Sequence, residues 1–120
     1  MASVLTYGGL AIITGLMKGS GTEPKNIRWG SGTGTVARNL TDLFTEEAET
    51  SADQASSQDT IAQTNDTYKV VGTLEAAGAK TITNAGLKND AGTLFQMFDF
   101  TGISLGAGNT IVFTFKCQFL

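Results

Sequence analysis

The chain has 120 residues, a formal net charge of −3 and only 16% charged residues. One hydrophobic core commonly serves ~100–200 residues, so we expect a single domain. Nucleic acids bind to basic surfaces that neutralise their phosphates, and this acidic, sparsely charged composition argues against such a partner.

Residues 1–24 combine an apolar run, GGLAIITGLM at positions 8–17, with a linker-like stretch of Gly, Ser and Thr. The run has about half of the ~20 residues that cross a bilayer, so it does not predict a transmembrane helix. No Lys or Arg precedes it, which argues against a secretory signal peptide. Burial would stabilise each large apolar side chain by ~1.5–3 kcal/mol. Two interpretations follow: an arm that packs on a neighbouring subunit, or the first strand of the same domain.

Seven residues are candidates for an interface with a partner. Six lie in the N-terminal segment, and the seventh lies in a short predicted strand, NIRW, that leads into a glycine-rich loop. Tyr and Trp are the residue types that most often anchor interfaces. For the Trp, packing into the core of its own domain is the favoured alternative. The candidates are Tyr7, Leu10, Ile12, Ile13, Leu16, Met17 and Trp29.

The middle of the chain is less regular. The loop GSGTGT, at residues 30–35, is rich in glycine, which permits backbone conformations that other residues avoid. Residues 39–50 show apolar positions at helical spacing, with Thr41 and Thr45 as candidate caps, and are compatible with a short helix or an extended edge. Residues 51–66 are polar and predict a mobile loop that flanks one edge strand.

The C-terminal half predicts four strands. Residues 67–75 alternate between apolar and polar side chains, and residues 80–88 and 93–101 are bounded by turn sequences that favour hairpin pairing. Residues 110–119 give the clearest pattern, which predicts a central strand that forms the main wall of the core. The apolar face of that strand consists of Ile111, Phe113, Phe115, Cys117 and Phe119.

Short strands separated by turns favour an all-β, single-domain antiparallel β-sandwich or jelly-roll-like fold. We expect residues 25–120 to form this sandwich. Residues 1–24 then provide the N-terminal arm or first strand with a flexible linker, and the whole chain contains at most one short helix.

The residues for catalysis are missing. The chain contains no histidine, the commonest general base and metal ligand, and its single cysteine excludes an intrachain disulfide. Glu46, Glu47 and Glu49 form an acidic cluster that is more typical of a solvated face than of a catalytic pair. The GSGTGT loop lacks the Gly-Lys-Ser/Thr ending of a phosphate-binding loop. We therefore predict a protein that is not an enzyme and binds no cofactor or metal.

Five segments resemble small virion proteins of tailed bacteriophages. They follow one another in matching order between about residues 26 and 119. The resemblance implies a part of the virion, either a capsid decoration (cement) protein or a tail or head fibre component involved in host attachment. The segments are IRWGSGTGT, LTDLFTEEAET, TNDTYKVVGTL, TITNAGLKN and ISLGAGNTIVFTFKCQF.

Acidity favours the decoration role, since an acidic protein on the outer surface of the head does not compete for the packaged DNA. Closed symmetry would bury the apolar faces of three chains at once. The leading expectation is a trimer, made in the host bacterial cytoplasm, that binds the major capsid protein on the outer surface of the virion. No nucleic acid or membrane is expected among its partners.

Overall fold

The computed structural model describes residues 2–119, and within them the chain forms one helix and eight strands. Met1, the first residue of the predicted segment 1–24, and Leu120, the last residue of the predicted sandwich 25–120, lie outside the described residues. The elements in chain order are β1 (Ser3–Leu5), α1 (Tyr7–Lys18), β2 (Asn26–Gly30), β3 (Glu46–Ser51), β4 (Ser56–Asp59), β5 (Thr67–Glu75), β6 (Lys80–Lys88), β7 (Leu94–Leu105) and β8 (Thr110–Gln118).

The strands form two antiparallel sheets. The larger sheet has the order β1-β7-β6-β2-β3 and the smaller sheet has the order β4-β5-β8. Apolar side chains from both sheets meet in one core, where Trp29, Ile27 and Ile82 of the larger sheet and Val70 of the smaller sheet are fully buried. The prediction of an all-β sandwich with one short helix is therefore confirmed.

β8 matches its prediction in position and in the direction of its side chains, but not in its place in the sheet. Phe113, Phe115 and Cys117 are buried, as the alternation requires. The expectation that the strand is central is wrong, because β8 pairs only with β5 and forms an edge of the smaller sheet. It can line the core from an edge because its rings pack across the sandwich. The Phe115 ring centroid lies 5.1 Å from that of Phe98 on β7.

The N-terminal apolar run is a helix, so its interpretation as a strand is wrong. β1 pairs with β7, and α1 packs beside it as part of the same folded unit. The Thr6 side chain caps the helix by accepting a hydrogen bond from the Gly9 amide at 2.9 Å, and Gly19 ends it in the left-handed conformation. A helix satisfies the backbone of this run internally, which a strand could do only by pairing along its whole length.

Glycine allows α1 to lie directly on β7. A Cβ atom on Gly9 would collide with the Phe95 carbonyl and come within 2.7 Å of the Leu5 side chain. The Gly8 position is also tight, since a Cβ atom there would lie 3.0 Å from the Leu94 carbonyl. The Gly8-Gly9 pair therefore sets the distance between helix and sheet.

Gly9→Ala is expected to lower the free energy of unfolding by about 1–3 kcal/mol, because the added methyl group forces the helix away from β7. Alanine normally stabilises a helix interior by ~1 kcal/mol relative to glycine. A decrease in the unfolding free energy of Gly9→Ala would therefore indicate a collision with β7, and an increase would indicate helix propensity alone. Gly15→Ala is the matched control: the nearest atom to a Cβ there is the Ser20 carbonyl oxygen, at 3.3 Å. Urea denaturation of both variants measures the difference. A Gly9→Ala protein as stable as wild type would refute the tight packing.

Residues 39–50 contain no helix. The chain runs through turns to Phe44 and then enters β3, which pairs with β2, so of the two interpretations the extended edge is correct. Thr41 and Thr45 cap no helix, and Thr45 has a φ of 48° just before the strand. The reason lies in long-range contacts: the backbone of Phe44 is held by the side chain of Asn84 on β6.

The GSGTGT loop needs glycine for space and not for unusual backbone angles. None of Gly30, Gly32 and Gly34 has a positive φ. A Cβ atom on Gly30 would collide with the Phe44 carbonyl, and one on Gly34 would lie 2.6 Å from the Phe44 ring. The loop therefore folds closely over the segment that leads into β3.

The polar segment 51–66 contains the predicted edge strand, β4, which pairs with β5. The loop after β4 closes around Asp66, whose carboxylate accepts hydrogen bonds from the amides of Ile61, Ala62 and Gln63 at 3.0 Å each. These bonds hold the pKa of Asp66 well below its ordinary value.

Candidate interaction surface

The outer side of α1 is an exposed apolar surface, which we call the α1 outer face. It consists of Tyr7, Leu10 and Met17, joined by Leu16, which lies one turn after Ile12 and lines the groove described below. Met17 is the most accessible of these residues, at 84% exposure. Three of these residues lie along one stripe, at spacings of three and seven residues. Thr14 lies on the same stripe, but its hydroxyl donates to the Leu10 carbonyl at 3.1 Å and is engaged within the helix.

The composition of α1 explains why this surface is unusual. A helix on the surface of a globular domain normally carries charged residues on its outer side. In α1 only Lys18, in the last turn, is charged, while Ile12 on the inner side is buried in the core. The helix is therefore apolar all round but is covered on one side only.

Beside the α1 outer face lies a groove of about 510 Å³ between the helix and the smaller sheet. Ile13 forms part of its wall and is half-buried. Tyr68 and Phe119 line the opposite side, and the Phe119 side chain is 48% exposed. The groove continues the apolar surface from the helix to the C-terminal end of β8.

Arg38 orients the start of the α1 outer face. Its guanidinium carbon lies 5.2 Å from the centroid of the Tyr7 ring, and its Nε donates to the Leu5 carbonyl at 3.0 Å. A cation over an aromatic face attracts the ring electrostatically, so Arg38 favours one orientation of Tyr7. Sequence reasoning did not identify Arg38, because the contact depends on how the loop 31–45 returns to the helix.

The structure separates the seven predicted interface residues into two groups. Tyr7, Leu10, Leu16, Met17 and the half-buried Ile13 form one continuous surface. The other two cannot serve a partner in this fold. Ile12 is 7% exposed and Trp29 is fully buried, so both belong to the core of their own chain.

Trp29 is held by a polar partner inside the fold. Its indole Nε1 donates to Glu49 Oε1 at 2.8 Å, and the same carboxylate lies 2.5 Å from Lys80 Nζ. Burial of an indole normally requires a hydrogen-bond acceptor, which Glu49 provides. The Glu49 side chain is 14% exposed, so its interpretation as part of a solvated acidic face is wrong.

The other two glutamates of β3 are also paired. Glu46 contacts Lys88 Nζ at 2.7 Å and Arg28 at 3.2 Å, and Glu47 lies 3.6 Å from Lys80 Nζ. The acidic cluster therefore joins β3 to β2 and β6. Paired and half-buried carboxylates of this kind stabilise the sheet and leave little free negative charge for a ligand.

Glu49→Gln is expected to remove part of the acid sensitivity of the fold. Partial burial raises the pKa of Glu49, but hydrogen bonds from Lys80, Trp29 and Ala77 outweigh it and lower the pKa from 4.5 to about 2. The ionised carboxylate thus stabilises the folded state fully above pH 4.5, and this stabilisation is lost as the pH falls towards 2.

The measurement is urea denaturation at several pH values. The difference in unfolding free energy between wild type and Glu49→Gln should be constant above pH 4.5 and shrink towards pH 2. Glu75→Gln changes an exposed glutamate at the end of β5 and is the control for the loss of one carboxylate. A difference for Glu49→Gln that did not vary with pH would contradict the assignment.

Cys117, the single cysteine, is buried, and burial raises the pKa of its thiol. Residues 2–119 hold no group of three or more His, Cys, Asp or Glu side chains that could bind a metal ion. In the same part of the chain no helix has the length and apolar character needed to cross a membrane. Compared with known proteins, the chain matches no protein-family model, no curated protein and no solved structure.

Proposed function

We propose that this chain is a capsid decoration (cement) protein of a tailed bacteriophage. In this role it forms a trimer, binds the major capsid protein on the outer surface of the head and stabilises the icosahedral shell. The resemblance of five segments to small phage virion proteins motivates the proposal. The observation that carries it is the α1 outer face, an apolar surface that a monomer leaves in water.

We assign the α1 outer face to the contact between the three chains. Tyr7 and Met17 are 58% and 84% exposed. The charges of the surface lie at its two ends, with Arg38 over the Tyr7 ring and Lys18 in the last turn of α1. Interfaces within permanent oligomers are apolar and poor in charge at their centres, as this surface is. A three-fold axis beside α1 would bury the surfaces of three chains together, and closed symmetry prevents unlimited growth.

Trimer formation gives a mechanism for strong binding to the shell. Three linked copies bind three sites on the capsid lattice together, and such linkage increases binding by about 10²–10⁴-fold over a single copy. A ligand that binds only the assembled shell stabilises that state by about 2.7 kcal/mol per site at one hundred times its dissociation constant. The decorated head is then expected to resist heat and pressure better than the bare head.

Met17→Lys tests the assignment directly. A charge placed at the most exposed residue of the α1 outer face should convert the trimer to monomers in sedimentation experiments. Binding to isolated heads should fall by about 10²-fold or more, because the linkage of three copies is lost. Val71→Lys is the control, since Val71 is an exposed apolar residue on the outer side of β5.

Each result has a defined meaning. A trimer for Val71→Lys and a monomer for Met17→Lys support the assignment of α1, and a reduced affinity of the monomer for heads supports the decoration role. Wild-type protein that does not bind heads, but binds the surface of host cells, would instead identify a tail or head fibre component. A Met17→Lys protein that remains trimeric would remove α1 from the subunit contact.

A further inference from the structure

The sandwich has four outer strands, and three of them are protected against pairing with another chain. β1 has three residues, β4 has four, and β3 carries three glutamates within six residues. Short strands and charged side chains are the usual protection of sheet edges. β8 has neither, since it is nine residues long and Lys116 is its only charged residue.

The outer edge of β8 offers unpaired backbone groups. The Lys116 carbonyl accepts a hydrogen bond from the Gln96 side chain at 3.0 Å, which shows that it points away from β5. Backbone groups in an antiparallel ladder alternate in direction, so those of Val112 and Thr114 also point outwards. Within residues 2–119 no other chain segment pairs with this edge.

Gln96 occupies the place of a neighbouring strand at one end of this edge. Its Nε2 donates to Lys116 as the amide of a paired strand would, while its Oε1 is buried without a hydrogen-bond partner. A buried, unpaired acceptor is uncommon in native proteins. The half of β8 from residue 110 to residue 114 has no such substitute.

A cleft of about 510 Å³ lies beside the free half of β8. Phe98, Phe100 and Ile103 of β7 line one side, and Phe113 and Ile111 of β8 line the other. β1 and the preceding Ala2 cover the edge of β7 as far as Asp99, whose amide donates to the Ala2 carbonyl at 3.0 Å. No other described residue pairs with the edge of β7 beyond that point. The smaller sheet therefore lacks a strand at this position.

We propose that a second copy of this chain fills the position by pairing its β8 with this β8, antiparallel, about a two-fold axis at Val112. Val112 then faces Val112 of the second copy, and Thr110 faces Thr114 of the second copy. All of these side chains are uncharged and β-branched, and pairs of this kind stabilise neighbouring strands. Lys116 lies outside the overlap and keeps its hydrogen bond to Gln96.

Among the outer strands of the second copy, β8 is favoured as the pairing partner over β1, β3 and β4 because of its low charge and its length. β3 carries three charged side chains within six residues, which protect its edge against pairing, and β1 and β4 are too short to cover the free half. Pairing about Val112 covers five residues, from 110 to 114, without placing like charges together.

This two-fold contact is separate from the three-fold contact of α1 and does not depend on it. A chain that has both contacts would link each trimer to its neighbours and form a continuous net. For a decoration protein, such a net would join trimers that occupy adjacent positions on the head.

The test is oxidation of Val112→Cys in a Cys117→Ala background. In the proposed register the two introduced thiols lie opposite each other, at the ~5.5 Å separation of Cα atoms that a disulfide allows. A covalent dimer is therefore expected. In Thr114→Cys the two thiols of the pair lie ~13 Å apart along the strands. In Thr73→Cys, on β5 beside Val112, the two thiols are separated by about three strand spacings. Both controls should remain monomeric on denaturing gels.

Amide hydrogen exchange of the unmodified protein gives a second readout that needs no substitution. The Val112 and Thr114 amides should be protected at high protein concentration and become exposed on dilution. Rapid exchange of both amides at every concentration would overturn the proposal, as would cross-linking of all three cysteine variants to the same extent. Protection of these amides only on isolated heads would assign the position to an extended segment of the capsid protein instead.

Discussion

Phe115→Ala is expected to lower the free energy of unfolding by about 3–5 kcal/mol, enough to remove a large part of the stability of a domain of this size. Phe115 is 2% exposed, and its ring packs against Phe98 and Phe113 with centroid distances of 5.1 and 6.3 Å. Truncation to alanine removes the whole ring, which closes the contact between the two sheets. The surrounding rings cannot fill the space without leaving their rotamers.

Phe119→Ala, at the residue directly after β8, is the matched control. Its side chain is 48% exposed, so its truncation should cost less than about 1 kcal/mol. Urea denaturation at neutral pH, with the slope of the transition as a check on compactness, compares the two variants. Equal stability of Phe115→Ala and wild type would show that the rings of β8 do not form the wall of the core.

Asn84→Ala is expected to destabilise the fold by about 2–3 kcal/mol through the loss of two buried hydrogen bonds. Asn84 is fully buried on β6, where its Oδ1 accepts from the Phe44 amide at 3.2 Å and its Nδ2 donates to the Phe44 carbonyl at 3.1 Å. The side chain thus pairs with Phe44 as a strand backbone would. Asn84→Asp should be worse, because its second oxygen would face a carbonyl inside the protein.

The loss should be visible at the segment that Asn84 holds. The amides of Ser31 and Gly32 donate to the carbonyls of Thr45 and Phe44, and both should exchange faster in Asn84→Ala. Asn26→Ala is the control, since Asn26 makes its hydrogen bonds to Asp90 and Asp53 at an exposed position. A uniform increase in exchange across the sandwich would argue against a local clamp.

The strands of the C-terminal half could be predicted because their signal is local. Residues 67–75 and 110–118 alternate in polarity, and each occupies one strand with its apolar side inwards. The position of β8 at an edge could not be predicted, since strand order follows from the packing of the whole chain. The residues of β8 therefore do not indicate by themselves that its outer edge is unpaired, because this depends on the strand order.

The N-terminal helix was missed because its composition is ambiguous. A short apolar run with adjacent Ile residues and three glycines is as typical of a buried strand as of a helix. Thr6 and Gly19 carried the helical signal as its caps. Once the run is a helix, Ile12 points to the core while Met17 points to solvent, and a pattern of strand faces could not have separated them.

Trp29 shows the limit of residue type as evidence for an interface. Its amphipathic ring suits a partner surface, but in this chain Glu49 supplies the acceptor and Phe113 the edge-to-face contact, with ring centroids 6.4 Å apart. Both neighbours are distant in sequence. By contrast, Met17 of α1 is 84% exposed in the described structure, which is why it lies in the proposed contact.

Cryo-electron microscopy of purified virions tests the central claim most directly. A decoration protein should give three-fold symmetric density on the outer surface of the capsid lattice, with the α1 outer faces of three chains buried against one another. Density for this chain only at the tail or at a single vertex would contradict the decoration role and make it a fibre component.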